Sequence, residues 1–340
     1  MEFVDLVDST QNEAWSWSYL SKHPSITMQY IFNHPDKPWD WHEVSRNPNV
    51  TMQDVLDHPD KPWNWYCLSS NPNITMQDIL ENPDKPWIWY CVSRNPNLTI
   101  QDVLDHPDKS WGWVELSQHP NITIKDIEDN PDKPWLWRAV SRNPNITMQY
   151  IFAHLDKPWS WDVISRNPNL TPENILDHPD MPWNWMYLSK NPCVTMQFIL
   201  DHPNKPWDWY YISQNPNITM QDILDHPDKP WSWFTIAQHP NITFQDILDH
   251  PDKPWEWYCV SRNPNITMKD VLAHPDKPWN WFHLSRNPNI TVHDILDNPD
   301  KPWEWIILSE NPVPLTQKQI MYTSNMDKVG MFTCPFTHVL

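Results

Sequence analysis

The chain has 340 residues, with 38 Pro, 26 Trp and only 2 Gly, which excludes collagen and a flexible Gly/Ser linker. With 39% hydrophobic and 13% aromatic residues there is enough apolar surface to offset ordering entropy, which argues against disorder. A net charge of −19, from 24 Lys and Arg against 43 Asp and Glu, repels phosphate backbones and anionic lipid, so neither nucleic acid nor a membrane surface is an expected partner.

The chain begins Met-Glu-Phe-Val-Asp, acidic where a secretory signal would be basic. No apolar run approaches the roughly 18–20 residues of a spanning helix. Five Cys are sparse and odd in number, as expected in a reducing compartment. These features predict a cytoplasmic protein that is not secreted. Residues 1–14 hold Phe3, Val4, Leu6 and Val7 without a Pro turn and read as an N-terminal cap.

From residue 15 to 312 the chain repeats. Trp-x-Trp pairs begin at Trp15, Trp39 and Trp63 and recur every 24 residues to Trp303, and Pro24, Pro48 and onward to Pro312 keep the same phase. A fixed period of this kind marks an array in which each unit buries its apolar face on the next. The array is expected to be one domain of about 13 units.

The unit at 36–59 shows the local logic. Pro38 should open a first helix, which cannot pass Asn47 because Asn47 precedes Pro48. Asn47-Pro48-Asn49 is a turn. Thr51 is placed to cap a second helix, with Asp54 as capping-box partner and Val50 against Val55 as hydrophobic staple, and His58-Pro59 ends it. Strands are excluded by the density of Pro, and helices this short persist only by packing on neighbours.

On a helical wheel started at Trp39, the residues Trp41, Val44 and Ser45 form the core face. Trp39 reads as a lid over the Pro turns. His42, Glu43 and Arg46 face outward, and these are the places where the copies disagree. The place of His42 becomes Tyr66, Tyr90, Tyr210, Phe234, Tyr258 and Phe282; that of Arg46 becomes Arg94, Arg142, Arg166, Arg262 and Arg286. Aromatic and Arg side chains are enriched at binding hot spots, so these residues make a candidate protein-binding strip. A competing reading has the aromatics stack on neighbours and the Arg neutralise the Asp-rich turns. Cys67, Cys91 and Cys259 share one outward place, too far apart at one repeat spacing for a disulfide.

Other chemical-looking residues have plainer readings. His34, His58 and His106 precede turn Pro residues, but Asn82 takes the same place, which suits helix termination better than metal binding. Asn-x-Thr triplets such as Asn49-Val50-Thr51 are explained as a turn plus a cap. No catalytic, cofactor-binding or metal-binding residue is expected, because a uniform array does not converge different groups on one pocket. Residues 313–340, with Thr316 and Gln319 as a slipped capping box, read as a C-terminal cap or tail, or alternatively a partner-recruiting motif.

The stretch Asn167-Pro168-Asn169-Leu170-Thr171-Pro172-Glu173-Asn174-Ile175-Leu176 resembles the leucine-rich variant repeat. The wording His-Pro-Asp-Lys-Pro-Trp with Ser-Arg-Asn-Pro-Asn-Ile-Thr is similar to tandem-repeat proteins of giant DNA viruses related to mimivirus. The resemblance spans roughly 15–312; the Trp pairs depart from it, and no N-terminal Cys cluster for an iron–sulfur site is present. It implies an all-α, right-handed α-solenoid of two-short-helix repeats in a viral context. The expected function is a non-enzymatic scaffold for a protein or peptide partner, monomeric at neutral pH and acting in the host cytoplasm on host or viral proteins. The alternative is a virion-associated assembly component. An enzyme or metal-binding array would need a pocket that interrupts the repeat.

Overall fold

The computed structural model describes residues 3–310, and the expected C-terminal cap at 313–340 lies outside them. The described residues form short helices joined by turns, from Phe3–Ser9 to Trp305–Leu308, with no strand among them. From residue 15 to 302 each 24-residue copy contributes two helices, and the copy opening at Trp303 contributes its first within the described residues, so the all-helical tandem repeat is as the period requires. The chain divides into two compact units, residues 15–160 and residues 161–310 together with 3–14. In the latter, Phe3–Ser9 packs against Val292–Asp297 and buries Phe3, Leu6 and Val7.

The second helix of each copy forms as its sequence dictates. In Met52–Asp57, Thr51 accepts from the Asp54 amide and Asp54 answers to the Thr51 amide at 2.9 Å, closing the capping box. Val50 and Val55 are both buried, completing the staple. At the other end the His58 imidazole Nδ1 meets the Asp54 carbonyl at 3.1 Å. Where Asn replaces that His, Asn82 Nδ2 donates to the Asp78 carbonyl at 2.8 Å. Either side chain satisfies a helix-terminal carbonyl, which is why the two interchange.

The first helix departs from expectation. It starts at the second Trp, not at Pro, and spans only Trp41–Val44 in the copy at 36–59. Asp40 sits in extended backbone before it and caps it, while Trp39 lies in the extended segment between turn and helix. A wheel drawn from Trp39 therefore assigns wrong angles. Trp39 and most of its equivalents are buried, whereas Trp41 and its equivalents are only half-buried. Trp39 is the lid it was expected to be, since its indole Nε1 donates to the His34 carbonyl at 2.8 Å, and the same bond recurs in every copy to Trp303. Its burial, however, makes it the deeper member of the pair. The Trp41 ring meets the edge of Trp63 in the next copy at 5.1 Å between centroids.

Three side-chain rungs tie one copy to the next. Ser45, fully buried as predicted, donates to the Trp41 carbonyl at 2.7 Å and accepts from the Asn64 amide at 2.8 Å. Asn47 is buried, and its amide donates to the Ser21 and Ile26 carbonyls of the preceding copy, both at 3.0 Å. Asn49 donates to the Pro24 carbonyl at 2.8 Å. The Asn side chain of an Asn-x-Thr triplet is thus a structural donor, as it is again at Asn97, Asn121 and Asn217, and the turn reading of these triplets holds.

Candidate functional site

The outward strip rests on the short first helices. Their amide caps and the Ser and Asn rungs fix each helix against its neighbours, so the residue after the second Trp is held at the surface. Tyr66 and Tyr90 are exposed in the unit of 15–160, and Tyr210, Phe234, Tyr258 and Phe282 are exposed in the unit of 161–310, between 38% and 48% of full accessibility. Ile306 continues the second row at 53%. Arg142, Arg166, Arg262 and Arg286 are exposed and Arg94 is half-buried. The structure therefore places every expected strip residue at or near the surface.

One expected outward place is not outward. Glu43, Cys67, Cys91, Glu115 and Cys259 are buried. With the helix starting at Trp41, this place turns toward the neighbouring copy, and it varies because each occupant answers its own neighbour. Arg94 shows the consequence. Its Nη2 donates to Glu115 Oε1 at 2.9 Å and to the Tyr90 hydroxyl at 2.7 Å. Arg46 likewise bonds Glu43 Oε1 at 3.2 Å, and its Nε reaches the Cys67 sulfur at 3.3 Å. Gly112 belongs to this arrangement: a Cβ there would stand 2.8 Å from Glu115 Oε2 and 2.9 Å from Tyr90 Cδ2.

In the unit of 161–310 the same place holds Val163, Tyr187, Tyr211, Thr235, Cys259, His283 and Ile307 in turn, buried at Thr235 and Cys259 and half-buried at the others. The Arg166 guanidinium lies 3.4 Å from the Tyr187 ring centroid and Lys190 Nζ 5.6 Å from that of Tyr211. Phe234 and Tyr258 are 5.8 Å apart between centroids. The aromatics do stack on neighbours in part, yet they keep a large exposed face. The turn Asp side chains that have a Lys beside them pair with it, as Asp60 does with Lys61 at 3.0 Å.

Burial pushes the Cys67, Cys91 and Cys259 thiols up, and that of Cys193 up to about 11, away from the thiolate a nucleophile needs. His283 Nδ1 is buried without a hydrogen-bond partner, and burial with the nearby Arg262 and Arg286 pushes its titration down. Among the described residues no group of three or more His, Cys, Asp or Glu is placed to hold a metal ion, and no helix is long and apolar enough to cross a membrane.

The sequence missed the Asn and Ser rungs, although their near-invariance from copy to copy was visible. It also missed His23, His119 and His239 as members of the rung position: each precedes a Pro in the first turn of its copy, in the place held elsewhere by Asn47 and its equivalents. No protein-family model, curated protein or solved structure matches the chain.

Proposed function

We propose that the protein is a non-enzymatic repeat scaffold that binds a protein or peptide partner along the aromatic–Arg strip. One observation carries this reading: Tyr210, Phe234, Tyr258, Phe282 and Ile306 remain exposed in consecutive copies of a framework that could bury them. Apolar side chains aligned on a surface in this way mark interaction sites. The row of Arg166, Lys190, Arg262 and Arg286 runs beside them, so the complementary partner is a segment with apolar side chains and carboxylates. The resemblance to giant-virus repeat proteins favours a host or viral protein as its source.

The test is selection of peptides on the purified chain followed by affinity measurement on variants. Phe234→Ala combined with Tyr258→Ala should weaken the selected peptide at least tenfold with an unchanged helical circular-dichroism signal. Raised salt should weaken it further. Unchanged affinity in the double variant would overturn the strip as the binding surface.

A further inference from the structure

At His23, His119 and His239 the array departs from its own rule, and of the three His119 and His239 bond a carbonyl of the preceding copy through Nε2. At the buried rung position the copies without His carry Asn, whose amide donates to carbonyls of the preceding copy; Asn215 does so to Ser189 at 3.0 Å and Asn191 at 3.1 Å. His119 and His239 are equally buried, at 0% and 5% accessibility. Each Nε2 meets a preceding-copy carbonyl, Asn95 or Asn215, at 3.0 Å. Each Nδ1 faces the backbone amide of Asn121 or Asn241 at 3.1 Å. A carbonyl only accepts and an amide N–H only donates, so both rings carry their proton on Nε2 and present a lone pair at Nδ1. Only the neutral imidazole fits.

We propose that His119 and His239 are acid-labile joints, at which protonation of the ring uncouples a copy from the one before it while the Asn rungs elsewhere hold. A second proton at Nδ1 would set donor against donor at 3.1 Å in a dry site. On the elements around His119 the charged side chains that are not fully exposed are Arg94, Glu115, Asp102 and Asp126, while Asp105, Lys125, Glu128, Asp129, Arg138 and Arg142 are exposed. Arg94 and Glu115 pair with one another, and Asp102 and Asp126 are held by capping Thr99 and Thr123. Around His239, Asp222 and Asp246 cap Thr219 and Thr243, and Arg262 is exposed. Burial therefore leads in setting both titrations, pushing them down, with the carbonyl bond opposing it. A base whose folded-state value is depressed contributes stability that is complete above its unfolded value, about 6.5, and is lost as pH falls below it.

The turn histidines are the internal control. His58, His106 and His250 direct Nδ1 at a helix carbonyl, so Nδ1 already bears the proton. Added acid protonates Nε2 and leaves that bond intact.

Hydrogen exchange resolved by repeat, corrected for intrinsic rates and compared at pH 7.5 and pH 5.0, tests the proposal on the full chain. The parent should lose protection at least tenfold more around 119–123 and 239–243 than in copies with Asn rungs. His119→Asn with His239→Asn installs the residue the other copies use, and should abolish that local loss. Asn263→His should create a new acid-sensitive joint at its own copy. Equal loss of protection across all copies would overturn the proposal, as would a double variant as acid-sensitive as the parent. His58→Asn should change nothing locally; a tenfold gain there would likewise count against it.

Discussion

The two units carry the same framework and opposite treatments of the strip cation. In residues 15–160, Arg46 and Arg94 are drawn onto the buried carboxylates Glu43 and Glu115. In residues 161–310, Arg166 and Lys190 lie over Tyr187 and Tyr211. These copies differ in the occupant of one place in the first helix, Glu in one case and Tyr in the other. A carboxylate there commits the guanidinium to the fold, whereas an aromatic ring leaves its donors facing water. In these copies that position decides whether the cation is paired with a buried carboxylate or laid over a ring.

The comparison can be broken at the framework first. Trp111→Ala in one unit and Trp231→Ala in the other should each cost about 3–5 kcal/mol locally, because both rings are buried and both indoles are bonded. Chemical denaturation followed by hydrogen exchange would measure this; a clear inequality would mean that the units are not the same framework. Trp65→Ala, at a half-buried ring, should cost less than Trp63→Ala.

Arg94→Ala should be nearly as damaging, about 3 kcal/mol, since it leaves the Glu115 carboxylate buried without its cation. Arg262→Ala in the other unit, at an exposed guanidinium, should stay within about 0.5 kcal/mol. Equal costs for the two would erase the distinction between the strips. Gly112→Ala sharpens the same point: the added methyl meets Glu115 and Tyr90 and should destabilise by about 1–3 kcal/mol.

The smallest expected effect is a gain. Ala237 stands where other copies carry the rung Ser, so the amide of Glu256 lacks the acceptor that the Asn280 amide finds in the Ser261 hydroxyl at 2.9 Å. Ala237→Ser should stabilise by about 1 kcal/mol, read as slower exchange of the Glu256 amide. No change in that amide would show that the Ser hydroxyl contributes little to coupling.

The sequence by itself determined the period, the paired helices and every boundary of the second helix. Those features depend on Thr51 and Asp54 within one turn, on Val50 and Val55, and on Pro residues that forbid continuation, all forces acting over a few residues. It also identified the exposed aromatic row, since the residue after Trp41 faces water whichever Trp begins the helix. The tertiary structure alone decided which Trp is buried, why Glu43 and Glu115 are hidden, and that His119 and His239 are rungs. Each of these turns on a contact with the preceding or following copy, such as Asn47 to Ser21 or His119 to Asn95, 26 and 24 residues apart in the chain. Local propensity carries no record of such partners. A buried donor chooses its acceptor only when the neighbouring copy has packed beside it, and the same packing halted the first helix at a single turn.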